Sequence, residues 1–166
     1  MELPDFARVR ALLFDVDGVM TDSKVLVTEA GELLRTMSIR DGYALKRAVR
    51  SDLRVAVITG GSSVGVRKRL LALGIRDYYS GVEEKLPTVR AYLARHEIDP
   101  DAALYMGDDL PDLPAMRYVG LACAPADACP QALAAAAYVS PHVGGAGCVR
   151  EVVERVMTAQ STWLPT

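Results

Sequence analysis

The chain has 166 residues, of which 51% are hydrophobic and 24% are charged, as in an ordinary globular protein. Its net charge of −2 gives no general electrostatic reason to expect nucleic acid or an anionic membrane as a partner. The three cysteines, Cys123, Cys129 and Cys148, lack the spacing of a metal site or a disulfide framework, so they indicate core thiols in a reducing compartment. The first residues have no long apolar run after a basic start, so we expect neither a signal peptide nor a membrane span there. We therefore expect one cytoplasmic domain spanning residues 1–166.

Short apolar runs alternate along the chain with segments whose apolar residues recur every three or four positions. The runs predict strands and the periodic segments predict amphipathic helices. In chain order the predicted elements are a strand at Ala11–Asp15, a helix at Asp41–Ser51, a strand at Arg54–Thr59, a helix at Ser62–Leu73, a strand at Asp77–Gly81, a helix at Lys85–His96, a strand at Ala103–Asp108, a helix at Asp109–Tyr118, a strand at Gly120–Ala124, a helix at Pro130–Ala136, a weaker strand at Ala137–Ser140 and a helix at Gly147–Met157. Asp41 and Ser62 are the expected N-caps of their helices. This alternation predicts an α/β fold, a three-layer Rossmann-like parallel sheet with helices on both faces.

Ser23–Ile39 interrupts the alternation, because its two β-like arms flank the turn sequence TEAGE. It predicts a small β-hairpin with Gly31 at the turn. The hairpin and one helix fill the chain between Asp17 and Thr59, which leaves no room for a separate cap domain. A lone hairpin exposes strand edges, so we expect hairpins of several subunits to pair. The candidate interface residues are Val25, Val27, Leu34 and Met37. The C-terminal tail covers about residues 158–166, and its last segment, STWLPT at residues 161–166, is expected to be loosely held.

Polar residues stand where four of the predicted strands end, and ligands of open parallel sheets bind outside those ends. These residues are Asp15 and Asp17, Thr59 and Gly60, Lys85, and then Asp108, Asp109 and Asp112. Clustered carboxylates without histidine or cysteine favour Mg²⁺. A hydroxyl, backbone N–H groups and a lysine suit phosphate oxygens. One aspartate can attack phosphorus while a second moves the proton, so the pattern predicts phosphoryl-transfer chemistry.

The motifs DVDGV, ITGG, Lys85 and GDDLPD together resemble the haloacid dehalogenase superfamily of phosphatases. RDGYALK (Arg40–Lys46), the hairpin and GGAGCVREV (Gly144–Val152) extend the resemblance over about residues 10–160. They are similar to the cap-less branch typified by 3-deoxy-D-manno-octulosonate 8-phosphate (KDO 8-phosphate) phosphatase. The resemblance implies Mg²⁺-dependent hydrolysis of a phosphorylated keto-deoxy sugar acid through an aspartyl-phosphate. It also implies a homotetramer that serves lipopolysaccharide biosynthesis.

The same resemblance assigns roles to individual residues. Asp15 is the nucleophile and a metal ligand, and Asp17 is the general acid/base whose backbone carbonyl also binds Mg²⁺. Asp108 is the third protein ligand, and Asp109 and Asp112 support the metal. The phosphoryl group is held by Thr59 and Lys85, and the implied sugar-acid contacts are Ser38, Ile39, Arg40, Asp41, Gly42, Lys46, Gly60 and Arg69. The tail around Trp163 and Leu164 is implied to reach a neighbouring active site.

Two positions depart from the pattern of the branch. Similar enzymes carry an arginine directly after TG and another inside GGRG, whereas this chain has Gly61 and Ala146. Relatives that act on nine-carbon sugar acids carry a glutamate after TG, so the carbon number of the substrate stays open. Arg40, Lys46 and Arg69 also fit ordinary surface charges.

Two other function classes share part of this pattern with a phosphatase. A signalling receiver domain also uses an acidic pair, a threonine and a lysine, but no aspartate ends the strand Arg54–Thr59. A catalytically idle oligomerisation module would not need the intact set of Asp15, Asp17, Lys85 and Asp108. The phosphatase is therefore the favoured hypothesis.

Overall fold

The computed structural model describes residues 4–163, and a parallel β-sheet forms its centre. The strands of the described part are β1 Ala11–Phe14, β2 Leu26–Val27, β3 Leu33–Leu34, β4 Arg54–Ile58, β5 Asp77–Tyr79, β6 Ala103–Met106, β7 Leu121–Ala124 and β8 Tyr138–Val139. Six of them pair in parallel in the order β5-β4-β1-β6-β7-β8, which puts β1 in the middle. β2 and β3 form a separate antiparallel hairpin.

Helices connect the strands of the sheet. They are α1 Ile39–Arg50, α2 Val64–Ala72, α3 Lys85–Arg95, α4 Leu113–Met116, α5 Pro130–Ala135 and α6 Cys148–Ala159, with short 3₁₀ turns at Phe6–Arg8, Pro100–Ala102 and Leu110–Asp112. Within residues 4–163, none of these helices combines the length and the apolar character needed to cross a membrane.

Two apolar clusters cover the two faces of the sheet. Alternate residues of β1 point to opposite faces, as the pleat of a strand requires. Leu12 and Phe14 pack with residues of α1, α2 and α6. Ala11 and Leu13 pack with residues of α3, α4 and α5. This arrangement confirms the predicted three-layer α/β fold.

Both predicted N-caps are displaced from the observed ones. Ser38, not Asp41, caps α1 and accepts a hydrogen bond from the Asp41 N–H. Ser63, not Ser62, caps α2. Serine and aspartate are both good caps, so local sequence alone did not separate these neighbours.

The predicted continuous helix Asp109–Tyr118 is also wrong. The chain there makes a 3₁₀ turn, Leu110–Asp112, and then the four-residue helix α4. Pro111 and Pro114 lack backbone N–H groups, so this segment cannot build a continuous hydrogen-bond ladder.

The described end of the tail is not loosely held as predicted. The Trp163 side chain is buried, packs edge-on against Tyr43, and has the guanidinium groups of Arg47 and Arg150 over its ring. α6 also extends to Ala159. The implied contact of Leu164 with a neighbour lies outside the described residues.

Candidate active site

The first acidic residues lie in the loop directly after the central strand β1. The Asp15 N–H donates to the Met106 carbonyl of β6, and its carboxylate accepts from the Val16 N–H at 2.6 Å. Gly18 then turns the chain with a φ of +95°. A Cβ at Gly18 would collide with the carboxylate of Asp108. Glycine therefore lets the β1 loop lie against the end of β6, which brings acidic residues from two strands together.

Lys85 is buried rather than solvated, although it begins a helix. Its Nζ lies 2.8 Å from Oδ2 of Asp15 and 2.6 Å from Oδ1 of Asp112, and only 4% of its side chain is exposed. Burial alone would lower the pKa of Lys85, but the two carboxylates outweigh burial and raise it above its ordinary value. Lys85 is therefore a fixed positive charge beside Asp15.

The Asp112 carboxylate holds this part of the site together. Its Oδ1 also accepts from the Tyr105 hydroxyl at 2.7 Å. Its Oδ2 accepts from the N–H groups of Asp108 and Asp109 at 3.0 and 3.2 Å. Tyr105 was not predicted, because a buried tyrosine in an apolar strand has the same sequence signal as a core residue. Asp112 thus orients Lys85 and the loop after β6.

Oxygens of Asp15, Asp108 and Asp112 lie within 4.8 Å of one another. Burial and the neighbouring Asp112 raise the pKa of Asp15 to about 6 and that of Asp108 to about 7. Oδ1 of Asp108 is buried without a hydrogen-bond partner among residues 4–163. The oxygens of Asp15 and Asp112 already have polar partners, so Oδ1 of Asp108 is the carboxylate oxygen of this cluster that is most available to a cation. An unpartnered buried carboxylate oxygen among hard oxygen donors fits Mg²⁺.

Asp17 has a partner that sequence reasoning missed. Both of its carboxylate oxygens pair with the Arg35 guanidinium, Oδ1 with Nε at 2.6 Å and Oδ2 with Nη2 at 3.0 Å. Gly61 lies beside this pair, and its N–H donates to the buried Thr59 hydroxyl at 3.2 Å. Arg35 therefore supplies a guanidinium to this region, although position 61 is a glycine.

These groups line one crevice of about 460 Å³, called the acidic crevice below. Every residue predicted for catalysis, metal binding or metal support lines it, together with Gly60. Its walls are Asp15, Asp17, Ser23, Thr59, Gly60, Gly61, Val82, Glu83, Lys85, Asp108, Asp109, Pro111 and Asp112. The topology thus brings together residues that are far apart in the chain: Asp15 and Asp112 are separated by 97 positions.

Comparison with known proteins places the chain in a family. The haloacid dehalogenase-like hydrolase family matches residues 80–151. The 3-deoxy-D-manno-octulosonate 8-phosphate phosphatase of Yersinia pestis is 42% identical over 154 residues, which are 93% of this chain and 82% of that protein. This chain belongs to the KDO 8-phosphate phosphatase branch of the haloacid dehalogenase superfamily.

Solved structures of this branch share the fold. The crystal structure of the Yersinia pestis phosphatase has a TM-score of 0.93 at 40% identity, and the match covers 95% of this chain and 85% of that one. The Moraxella catarrhalis phosphatase, solved with a magnesium ion, a phosphate ion and KDO, has a TM-score of 0.93 at 31% identity. That match covers 96% of this chain and 91% of the other.

Most of the residues implied to contact the sugar acid do not line the acidic crevice of their own chain. They lie at the start of α1, apart from Lys46 in the middle of α1 and Arg69 on α2. Asp41 accepts from the Arg150 N–H of α6 at 2.8 Å, and Gly42 packs against the guanidinium of Arg69. The set outside the crevice is Ser38, Ile39, Arg40, Asp41, Gly42, Lys46 and Arg69.

Arg40 instead lines a second cavity of about 540 Å³. This cavity lies at the start of α6, beside Ala146 and Arg150. Its acidic residues are already matched by arginines, since Glu151 pairs with Arg155 and Glu154 pairs with Arg150. It is larger than the acidic crevice, but among residues 4–163 its acidic side chains do not form a cluster of three carboxylates like that of Asp15, Asp108 and Asp112.

Proposed function

We propose that this chain is a Mg²⁺-dependent phosphomonoesterase that hydrolyses KDO 8-phosphate to KDO and phosphate. One observation carries the chemistry: the acidic crevice joins a buried Asp15–Lys85 ion pair to a second carboxylate, Asp17. The substrate is supported by the membership of the branch and by the likeness to the Moraxella catarrhalis phosphatase, which was solved with Mg²⁺, phosphate and KDO.

In the proposed reaction, Asp15 attacks the phosphorus and a carboxylate-to-phosphorus bond forms as the bond to the sugar oxygen breaks. Asp17 donates its proton to that leaving oxygen. Asp17, now a carboxylate, then takes a proton from water as the water oxygen attacks phosphorus, which releases phosphate and regenerates Asp15. The covalent intermediate divides the reaction into two displacements, each of which is easier than direct hydrolysis in one step.

The remaining residues of the crevice hold the phosphoryl group. Lys85 supplies a fixed cation, and the Thr59 hydroxyl and the Gly60 backbone supply hydrogen-bonding groups. Asp15, Asp108 and the backbone carbonyl of Asp17 would bind Mg²⁺, with Asp109 and Asp112 as support. When bound, the cation would neutralise the crowded carboxylates and the phosphate charge.

We also propose that the hairpin builds a homotetramer. Exposed apolar side chains cover both faces of its strands: Val25, Leu26, Val27, Leu33 and Leu34 are between 43% and 67% exposed. Met37, an expected interface residue, is half-buried and packs against the core of its own chain. In a tetramer the sugar-acid residues at the start of α1 would serve the crevice of a neighbour, which accounts for their distance from their own.

Assembly is testable by light scattering. The double variant Val25→Asp with Val27→Asp should shift the measured mass from that of a tetramer to that of smaller species. It should also lower kcat/KM, since each acidic crevice would lose the neighbouring subunit that covers it. Val139→Asp is the matched control, because Val139 is 40% exposed on the edge strand β8, outside the hairpin. A fully active monomer of the unmodified chain would contradict the proposed assembly.

The substrate is testable with a panel of phosphorylated sugars and keto-acids ranked by kcat/KM with Mg²⁺ present. We expect KDO 8-phosphate to rank first, as a cytoplasmic enzyme of lipopolysaccharide biosynthesis requires. A nine-carbon keto-deoxy sugar acid phosphate in first place would retain the chemistry and change the substrate. No turnover of any phosphomonoester would favour an idle oligomerisation module.

A further inference from the structure

Arg35 is the hairpin residue that contacts the proposed proton-transfer group. It directly follows β3, and its guanidinium makes two parallel hydrogen bonds to the Asp17 carboxylate. Its third nitrogen, Nη1, donates to the Leu33 carbonyl at 3.1 Å. Only 8% of the Arg35 side chain is exposed, whereas 35% of the Asp17 side chain is exposed. The arginine is therefore the fixed member of the pair, and the aspartate is the member that faces the crevice.

Gly61 leaves the space that this guanidinium occupies. A Cβ at position 61 would lie 3.1 Å from Oδ2 of Asp17 and 3.3 Å from Nη2 of Arg35. Any side chain there would point at the pair and compete with it for room. The absence of a side chain at Gly61 thus leaves room for the guanidinium of Arg35.

We infer that Arg35 is a positioning residue for proton transfer, and that Gly61 is the small residue that allows it to reach Asp17. The inference rests on the proposed role of Asp17 as general acid/base. Two parallel bonds from a planar fork fix both carboxylate oxygens and hence the side-chain rotamer. Without them, the partly exposed Asp17 side chain can turn away from the leaving oxygen. Misplacing a catalytic group by about 1 Å can cost on the order of 100-fold in rate.

The position of Arg35 also links the hairpin to the chemistry. The residue lies one position beyond β3, so a shift of the hairpin moves the partner of Asp17. Pairing of hairpins between subunits would therefore stabilise the geometry of proton transfer as well as cover the crevice.

The test compares two leaving groups in the Arg35→Gln variant. A sugar alkoxide needs a proton to leave, whereas p-nitrophenolate departs as a stable anion and needs little general-acid help. For KDO 8-phosphate we expect kcat/KM to fall by ~10–100-fold, and for p-nitrophenyl phosphate by less than about threefold. Arg35→Lys should restore part of the loss, because it keeps the charge. Lys24→Gln is the matched control, since Lys24 is a hairpin cation whose side chain is 83% exposed.

Two double variants and one measurement of Mg²⁺ affinity separate positioning from other roles. In the Asp17→Asn background, Arg35→Gln should have less than about a twofold further effect, because residues that act as a unit are not additive. Mg²⁺ affinity by calorimetry should stay unchanged in Arg35→Gln, since the side chain of Asp17 is not a proposed metal ligand. Gly61→Ala should lower kcat/KM for the sugar phosphate in the unmodified chain, and much less in the Arg35→Gln background.

Equal losses with both leaving groups, or a full effect of Arg35→Gln in the Asp17→Asn background, would overturn the inference. Additive effects of Gly61→Ala and Arg35→Gln would overturn the part that concerns Gly61. If the unmodified enzyme does not turn over KDO 8-phosphate, the proposed substrate fails. The comparison with p-nitrophenyl phosphate then still tests Arg35, with the best sugar phosphate of the panel in its place.

Discussion

Magnesium affinity should depend steeply on pH, because two carboxylates of the acidic crevice keep their protons to an unusually high pH. Burial raises the pKa of Asp15 to about 6 and that of Asp108 to about 7. Carboxylates must be ionised to bind a cation, so metal binding competes with protons. With these two pKa values, the fraction of sites in which both groups are ionised falls by ~100-fold between pH 8 and pH 5.5.

Isothermal titration of the metal-free protein with MgCl₂ measures this effect. We expect Kd to be ~100-fold weaker at pH 5.5 than at pH 8. Repeating the titration in buffers of different ionisation enthalpy counts the protons released. About one to two should leave at pH 5.5, and almost none at pH 8.

Two variants control the experiment. Asp108→Asn removes the group with the higher pKa, so it should weaken binding at pH 8 and reduce the pH dependence. Asp101→Asn removes an exposed carboxylate that pairs with Arg8 at 3.5 Å, and it should leave both unchanged. A Kd that differs by less than about threefold between the two pH values would refute the reasoning.

The same pKa values set the sign of the stability change with pH. A carboxylate whose pKa is higher in the folded than in the unfolded protein stabilises the fold at low pH, and this contribution is lost as pH rises through the folded pKa. For Asp15 and Asp108 the loss falls between about pH 4 and pH 7. Added Mg²⁺ should therefore raise the Tm more at pH 8 than at pH 5, and the opposite order would contradict the proposed metal site.

Two substitutions probe the framework of the site. Gly18→Ala places a Cβ at positive φ against the Asp108 carboxylate, so it should cost about 1–3 kcal/mol of unfolding free energy and weaken Mg²⁺ binding in the same calorimetric assay. An Ala variant of unchanged stability and affinity would show that the close approach is dispensable. Tyr105→Phe removes a buried donor to Asp112 and should cost ~1.5–3 kcal/mol by urea denaturation. Its control is Tyr92→Phe, which should cost far less because the Tyr92 hydroxyl has no hydrogen-bond partner within residues 4–163; equal costs would argue against the Tyr105–Asp112 bond.

The fold was largely predictable because most strands of the sheet are short apolar runs, each followed by a segment of helical periodicity. β1, Ala11–Phe14, is buried along its whole length and ends directly before Asp15, where the apolar run stops. Details that depend on competition between neighbours were not predictable. Ser38 caps α1 in place of Asp41, whose carboxylate accepts a hydrogen bond from the Arg150 N–H, a partner 109 residues away. A contact between residues that are so far apart in the chain leaves no signal in the local sequence.

The candidate site was likewise predictable from the sequence only in part. Asp15, Asp17, Lys85 and Asp108 were found because acidic and basic residues at strand ends are conspicuous in sequence. Arg35 and Tyr105 were missed for opposite reasons. Arg35 stands in an exposed hairpin, where an arginine looks like an ordinary surface charge. Tyr105 lies inside an apolar strand, where its hydroxyl gives no signal. Both become visible only when the fold places them against Asp17 and Asp112.

Chemical trapping of the phosphoryl-enzyme tests the proposed mechanism most directly. The protein is mixed with Mg²⁺ and KDO 8-phosphate, quenched in acid on the millisecond scale, and mapped by peptide mass spectrometry. We expect a phosphoryl group on Asp15 that forms and decays at the rate of turnover, and we expect Asp15→Asn to be folded and inactive. Full turnover by Asp15→Asn, or a phosphoryl group on another residue that decays at the rate of turnover, would contradict the assignment of Asp15 as nucleophile.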